Sequence, residues 1–337
     1  MGAFGMSGIR STFAKHWCAA LGLAIAMASG GAGAETVIRF GHYATPDDTP
    51  GQAAERFKQL VEERTGGEVV IQIHPAYELG NDPTMLRGTR LGTQDMTVVG
   101  NPFFTSFAPE MNVLDLPFLF RSYDHAYEVL DGEIGRQLLD QLEQHDLKGL
   151  ALWEVGFRNL TNSVRPIRAP EDLKGLKIRT TPNPAHVRAF GLLGANPTPM
   201  PFPEVYPALQ TGTVDGQENP VVLIWKVRLY EVQDHLSLTQ HAYTAAPLVM
   251  NLAAFNALPE EHQQVVLGAA LEAAAYEREL NRSLEGQAME EIKAAGVEVV
   301  EEPDRDAFRE VVAAETRKLY TDQFGSGLVD AIDAAAD

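Results

Sequence analysis

Apolar residues in the first third of the chain recur with two different periods. Short runs that alternate between apolar and polar residues are typical of strands, and apolar positions spaced three and four apart are typical of helices. On this basis we predict strands at 37–42, 69–73 and 94–99 and helices at 50–64 and 81–91. A strand, a helix and a strand within roughly 35 residues form a βαβ unit. The pattern therefore predicts an α/β domain with a parallel sheet.

A second α/β series begins near residue 158. It predicts strands at 176–180 and 214–217 and helices at 184–193 and 203–210. Prolines open both helices and glycines close them, which is the usual asymmetry of helix ends. Further on, a helical pattern continues from Leu258 to about Ala295, and Pro259 at its start is the only proline in this range. At 1.5 Å per residue this helix is roughly 55 Å long, which exceeds the width of one small domain.

The N-terminus has the three-part layout of a secretory signal peptide. Arg10 and Lys15 precede an apolar run from Trp17 to about Ala28, and small residues follow up to Ala34. Cleavage is expected after Ala34, which predicts an exported protein. The apolar run is too short for an ordinary membrane span, although a retained anchor is the alternative. The only cysteine, Cys18, lies in this run, so the mature chain would contain no thiol.

Length and charge restrict the possible functions. The formal net charge is −19, and removing residues 1–34 takes away two positive charges and no negative ones. Such a charge disfavours nucleic acid and anionic membranes as partners. About 300 remaining residues suggest two domains. Because no Gly/Ser-rich linker is present, we expect several crossovers between the domains rather than one tether.

Two arginines end strand-like runs in the second series, and they are candidates for binding a carboxylate. The planar guanidinium groups of Arg158 and Arg179 match a carboxylate with two parallel hydrogen bonds. Either side chain could instead lie on the surface or form a structural ion pair. Phe202 lies in a proline-rich turn that would hold its ring in one place, although a lone phenylalanine is normally part of a core.

Other candidates follow from their positions at the ends of elements. Asn219 precedes Pro220, so it could cap a helix, contact a ligand, or do both. Trp225 could reach a cleft or pack between domains. His42 ends the first strand and Asn101 follows the third, and the carboxyl ends of parallel strands line the crevice of an open α/β sheet. His42 could equally be a buried histidine with no contact to a ligand.

The sequence contains none of the common catalytic or metal-binding motifs. There is no Gly-X-Ser-X-Gly, His-Glu-X-X-His or phosphate loop, and the acidic residues are spread along helix faces. We therefore expect a protein without catalytic residues, metal or cofactor. Two alternatives remain open: a secreted α/β enzyme that acts on sugar acids, and a binding protein that presents its ligand to a sensor.

Two segments carry a resemblance to a known family. They are GANPTPMPFPEVY at 194–206 and VDGQENP at 214–220, and the similarity extends over nearly all of the chain after residue 34. The chain resembles the DctP-like solute-binding subunit of tripartite ATP-independent periplasmic (TRAP) transporters. The resemblance implies that Arg179 grips a ligand carboxylate and that Arg158 assists. It also implies ligand contacts for Asn219 and Phe202.

The same resemblance implies an architecture and partners. The expected fold has two α/β lobes, an interlobe cleft, several crossovers and a long helix that spans both lobes. We assign residues 35–155 and 245–284 to lobe 1, and residues 156–244 and 285–337 to lobe 2. The expected ligand is a hydroxy acid or sugar acid, because the two arginines form a single anion site. The protein would act in the periplasm as a monomer and pass the ligand to an integral membrane permease.

Overall fold

A computed structural model describes residues 35–335, and the predicted signal peptide lies outside these residues. Within this range the strands are β1 Thr36–His42, β2 Val69–His74, β3 Met96–Val98, β4 Leu147–Phe157, β5 Asn159–Asn162, β6 Lys177–Thr180, β7 Asn196–Pro199, β8 Gly216–Asn219, β9 His235–Ser237, β10 Tyr243–Asn251 and β11 Glu298–Val300. The helices are α1 Thr49–Arg64, α2 Asp82–Leu91, α3 Tyr123–Asp131, α4 Glu133–Gln141, α5 Pro184–Leu192, α6 Val205–Gln210, α7 Val221–Lys226, α8 Leu252–Asn256, α9 Glu260–Ala294, α10 Arg305–Phe324 and α11 Gly327–Ala334.

The strands form two separate sheets. The first has the order β2-β1-β3-β10-β4, and the second has the order β11-β9-β5-β8-β6-β7. β1 is parallel to β2 and β3, which confirms the predicted βαβ unit, while β10 runs antiparallel to β3 and β4. In the second sheet β5 runs antiparallel to β8 and β9. We call the parts built on these sheets the first lobe and the second lobe.

Within residues 35–335, three connections between the two sheets cross between the lobes. The chain passes from the first sheet to the second between β4 and β5, and it returns between β9 and β10. Helix α9 packs against α1 and β4 in the first lobe and against α7 in the second. It therefore spans both lobes, as predicted for residues 258–295. The two-lobed α/β fold with several crossovers is confirmed.

Local sequence signals account for the limits of several elements. The Asn81 side chain accepts a hydrogen bond from the Thr84 backbone and caps α2, and Gly92 ends the same helix with φ 73°. Gly194 follows α5 with φ 78°, a conformation that favours glycine. Among residues 35–335 we find no helix that is both long and apolar enough to cross a membrane.

The structure differs from the sequence prediction most clearly in the position of one strand and in the lobe to which the last helix belongs. The strand predicted at 214–217 lies at Gly216–Asn219 instead, because its ladder with β5 pairs Gly216 with Asn162 and Asn219 with Asn159. Helix α11 belongs to the range 285–337 that was assigned to lobe 2, but Val329 and Ile332 pack in the same core cluster as Leu138 of α4 in the first lobe. The remaining lobe limits stay predictions.

Candidate ligand-binding site

A cavity lies between the two lobes. Its wall includes Tyr43, Tyr77 and Asp82 from the first lobe, and Arg158, Arg179, Thr181, Phe202 and Asn219 from the second lobe and its crossover. Four of the seven predicted site residues are thus brought together here. They come from β6, from the turn before α6, from the end of β8 and from the β4–β5 crossover. Both lobes contribute to the wall, as ligand-driven closure requires.

Arg179 is the most informative residue of this cavity. It is buried, with 1% of its surface exposed. Its Nε and Nη2 donate to the Met200 carbonyl at 3.2 and 2.7 Å, yet no carboxylate of residues 35–335 lies within 4.0 Å of the guanidinium. Burial lowers the pKa of Arg179 to about 10, so the group stays charged at neutral pH. A buried charge without a counter-ion is costly unless an anion binds beside it.

Arg158 forms a buried ion pair inside the protein. Its Nε and Nη2 bind the Glu218 carboxylate, Nη2 also donates to the Glu218 carbonyl at 2.6 Å, and Nη1 donates to Thr244 Oγ1 at 3.2 Å. Burial opposes the charge of Glu218, but Arg158 and His241 hold the pKa of this carboxyl well below its ordinary value. Glu218 therefore occupies most of the hydrogen-bond donors of Arg158. A ligand would contact Arg158 through Nη1.

Asn219 is positioned by β8 rather than by a helix end. Its Oδ1 accepts a hydrogen bond from Arg158 Nη2 at 3.1 Å, and its Nδ2 donates to Gln217 Oε1 at 2.6 Å. Helix α7 begins at Val221, Pro220 occupies the cap position, and no side chain caps the helix. Of the alternatives for Asn219, a helix cap is therefore excluded, and its contact with a ligand stays a prediction. The shifted register of β8 is the physical reason, because the strand extends as far as Asn219.

Phe202 lines the cavity beside Arg179. The Cζ atom of Arg179 lies 5.8 Å from the centre of the Phe202 ring, within the range of a cation–π contact. The ring sits in a short 3₁₀ helix, Phe202–Glu204, that precedes α6. Arg179 and Phe202 together offer an ion-pairing group and an apolar face.

Tyr77 and Asp82 form the polar wall on the first-lobe side, and the sequence analysis did not identify them. The Tyr77 hydroxyl donates to Asp82 Oδ2 at 3.2 Å. Burial raises the pKa of Asp82 to about 6. Both residues lie in or just after the connection between β2 and α2. The rule that carboxyl ends of parallel strands line the crevice, applied to β2, would have found them.

His42 and Asn101 lie beside the cavity wall without lining it. Their sequence neighbours Tyr43 and Gly100 line it instead. His42 faces the core, 5.5 Å from the Phe40 ring between centroids, and burial lowers its pKa to about 4. β1 ends at His42 and holds this side chain on the core face, the same face as Phe40, whereas Tyr43 follows the strand and lines the cavity.

Asn101 turns away from the cavity at the start of a 3₁₀ helix, Asn101–Phe103. Its Nδ2 donates to the Met111 carbonyl at 2.8 Å and to Asp115 Oδ2 at 2.7 Å. Trp225 is not in the wall either, because its Nε1 donates to Glu291 Oε2 of α9 at 2.7 Å. Trp225 therefore packs on α9, the helix that spans both lobes, and does not reach the cavity.

No group of three or more histidine, cysteine, aspartate or glutamate side chains that could hold a metal ion occurs in residues 35–335. The polar groups of the cavity are arginine, tyrosine, aspartate, threonine and asparagine. This set is suited to hold one carboxylate and to exchange hydrogen bonds with hydroxyl groups.

Comparison with known proteins identifies the family. Residues 40–323 match the family described as bacterial extracellular solute-binding protein, family 7. The 2,3-diketo-L-gulonate-binding periplasmic protein of Escherichia coli K12 is 43% identical over 298 residues, which cover 88% of this chain and 91% of that protein.

Solved structures of TRAP periplasmic solute-binding proteins agree with this match. The protein from Polaromonas sp. JS666, bound to D-erythronate, has a TM-score of 0.86 and 39% identity over 89% of this chain and 99% of that one. The protein from Sulfitobacter sp. NAS-14.1, bound to β-D-galacturonate, has a TM-score of 0.85 and 33% identity over 89% of this chain and 100% of that one. The chain therefore belongs to family 7 of the bacterial extracellular solute-binding proteins, the DctP family of TRAP transporters.

Proposed function

We propose that this protein captures a small hydroxylated monocarboxylic acid, a hydroxy acid or sugar acid, in the interlobe cavity. The observation that carries the proposal is the buried guanidinium of Arg179, which has no carboxylate partner among residues 35–335. A ligand carboxylate would supply the missing charge with a bidentate geometry. Asn219 and the free side of Arg158 would bind next to it, and Phe202 would pack against the carbon chain.

The opposite wall supports a ligand that carries hydroxyl groups. Tyr43, Tyr77 and Asp82 of the first lobe face the cavity. A hydroxyl can donate to the Asp82 carboxylate and accept from a tyrosine. A ligand with a carboxylate at one end and hydroxyls along its chain would thus contact both lobes. Similar proteins bind D-erythronate and β-D-galacturonate, which have this chemistry.

His42, Asn101 and Trp225 take indirect roles in this proposal, because none of them lines the cavity. His42 packs against Phe40 in the core next to Tyr43, and Asn101 is hydrogen-bonded to Asp115 next to Gly100. Trp225 fixes α7 to α9 through Glu291. Their substitution would change affinity through the position of the wall.

The proposed biological role is delivery of the acid to the integral membrane permease of a TRAP transporter, without chemical conversion of the ligand and without a cofactor. The protein would act as a monomer in the periplasm, after cleavage of the signal peptide following Ala34. Mass spectrometry of the exported protein should then find Glu35 as the first residue. Periplasmic material that retains Met1 would contradict this location of the cleavage site.

A ligand screen tests the binding function. The purified mature protein is heated with D-erythronate, D-galactonate, D-galacturonate, 2,3-diketo-L-gulonate or succinate, and stabilising compounds are then titrated by calorimetry. Ligands that bind the native state raise its melting temperature by mass action. We expect one or more hydroxylated monocarboxylates to stabilise the protein more than succinate does. Stabilisation by succinate alone, or recovery of a converted product, would contradict the proposal.

A further inference from the structure

A second chamber adjoins the ligand cavity. Tyr43, Val155 and Leu223 line both spaces and form the boundary between them. The remaining wall of the second chamber comes from the N-terminal end of α1, from β4, from α7 and from α9, so both lobes contribute again. A ligand that passes this boundary would extend from the Arg179 site towards the spanning helix.

The floor of the second chamber is a fixed polar network. Thr49 Oγ1 donates to Asn281 Oδ1 at 2.7 Å, and Asn281 Nδ2 donates to Glu154 Oε1 at 3.3 Å. The hydroxyls of Tyr127 and Tyr243 donate to Glu154 Oε2 at 2.9 and 3.0 Å. These bonds hold the floor in place, and the Thr49 hydroxyl retains its capacity to accept one further hydrogen bond.

Two further polar groups at this chamber have unused hydrogen-bond donors. The Tyr43 hydroxyl at the boundary makes no hydrogen bond within residues 35–335, and burial raises its pKa well above the ordinary value, so it keeps its proton. Lys226 Nζ donates to the Asp47 carbonyl at 3.3 Å, and this ammonium forms no ion pair in the part of the chain that the structure describes. The Tyr43 hydroxyl and the Lys226 ammonium can therefore both donate to a hydrogen-bond acceptor in the chamber.

The charges of the wall restrict what the chamber can hold. Asp48 and Glu154 lie in it, and Lys226 is the one basic side chain among its wall residues. Glu154 is paired with Arg282 at 3.7 Å, whereas Asp48 forms no ion pair within residues 35–335. A second carboxylate beside Asp48 would therefore be unfavourable at short range. Neutral hydroxyls would accept from Tyr43 and Lys226 and donate to Thr49 or Asp48.

We propose that the second chamber binds the hydroxylated end of a six-carbon monocarboxylic sugar acid whose carboxylate lies at Arg179. This inference rests on the proposed function. It adds that the site prefers a ligand with six carbons and a single carboxylate. A four-carbon acid would occupy the first cavity alone. A six-carbon diacid would bring its second carboxylate towards Asp48, so it should bind more weakly than the corresponding monoacid.

Val222→Phe provides the test, because Val222 is buried and lines the second chamber but not the first cavity. A phenyl ring at this position would fill the chamber. We expect calorimetry to show at least a tenfold loss of affinity for D-galactonate and less than a threefold change for D-erythronate. The matched control is Val164→Phe, at an exposed valine, which should leave both affinities unchanged. In the wild type, D-galactonate should bind at least tenfold more tightly than the diacid galactarate.

A second variant covers the case in which Val222→Phe fails to fold. Lys226→Met keeps the length of a partly exposed side chain but removes its donor, and it should weaken D-galactonate severalfold without affecting D-erythronate. Equal losses for the two acids, or no loss for either, in the folded variants would overturn the second-chamber assignment. If the wild type binds no hydroxylated monocarboxylate at all, the proposed function itself fails.

Discussion

Arg179 is the residue on which ligand affinity should depend most. Replacing it with lysine retains the charge but removes the planar pair of donors. If the guanidinium binds a carboxylate in the desolvated cavity, Arg179→Lys should cost roughly 2–4 kcal/mol of binding free energy, or about 30- to 1000-fold in affinity. Calorimetric titration with the best acid from the ligand screen measures this loss.

Arg168→Lys is the matched control for this substitution. Arg168 is exposed and forms an ion pair with Glu298 at 3.2 Å, away from the cavity. Its replacement should change affinity little. Thermal unfolding of both variants shows whether the fold is intact. Near-wild-type affinity in folded Arg179→Lys would refute the proposed carboxylate contact.

Asp115 is a buried carboxyl that joins the two lobes behind the cavity. Its Oδ2 accepts from Asn101 Nδ2 of the first lobe at 2.7 Å and from Asn183 Nδ2 of the second at 3.0 Å. Its Oδ1 and the Oδ1 of Asn101 have no partner within residues 35–335. Burial raises the pKa of Asp115 from 3.8 to about 8. A proton on this carboxyl would supply the donor that the cluster lacks.

Because the pKa of Asp115 is higher in the folded state than in the unfolded state, the folded protein binds one more proton between about pH 4 and pH 8. The stability that this proton provides is present at low pH and is lost as the pH rises through this window. Asp115→Asn keeps the shape and supplies a permanent donor. At pH 8 it should raise the melting temperature by about 2 °C or more, because 1 kcal/mol shifts it by about 2–4 °C in a domain of 150–250 residues and by somewhat less in a larger one.

The same measurement at pH 5 should show a much smaller difference between Asp115→Asn and the wild type. Asp82 also has a raised pKa and contributes to the pH dependence of the wild type, so the informative quantity is the difference between the two proteins. Asp234→Asn, at an exposed site, is the control and should behave like the wild type. An Asp115→Asn protein that is equally destabilised at both pH values would contradict the protonated state.

At the scale of elements, the pairing of β5 with β8 positions both Asn219 and the partner of Arg158. Gly216 opens β8, and a Cβ atom at this position would lie 2.2 Å from the Thr161 carbonyl oxygen of β5. Gly216→Ala should therefore push the strands apart and cost about 1–3 kcal/mol of unfolding free energy, as is usual for overpacking. Chemical denaturation measures the cost, and ligand titration should show weaker binding.

Gly191→Ala is the corresponding control within α5. A Cβ atom there has no neighbour within 4 Å among residues 35–335. Alanine in a helix is favoured over glycine by about 1 kcal/mol, so this variant should be slightly more stable than the wild type. If Gly216→Ala were as stable as Gly191→Ala, the close approach of β5 and β8 would not limit the position of Asn219.

At the scale of the whole molecule, we expect the connections between the two sheets to act as a hinge. A ligand that contacts both lobes stabilises the closed arrangement by its differential affinity for it. We expect small-angle X-ray scattering to give a smaller radius of gyration at saturation with a stabilising sugar acid than without it. The same radius in both conditions would indicate a rigid pocket, and the binding energy would then not drive closure.

Local patterns in the sequence determined the positions of most elements of this protein. The predicted strand at 37–42 and helices at 50–64 and 184–193 agree with β1, α1 and α5 to within one residue. Such elements are specified by the spacing of apolar residues and by Pro and Gly at their ends, both of which are properties of neighbouring residues. Ordered motifs in the sequence likewise identified the family and pointed to Arg179.

Only the tertiary structure decided which side chains meet in the cavity. His42 and Tyr43 are adjacent in sequence, as are Gly100 and Asn101, and the packing of the first sheet selects one of each pair. The Arg158–Glu218 ion pair joins residues 60 positions apart, and the register of β8 placed Asn219 on a strand instead of a helix end. These choices depend on contacts between segments that are distant in sequence, such as the pairing of β5 with β8, and local spacing does not encode such contacts.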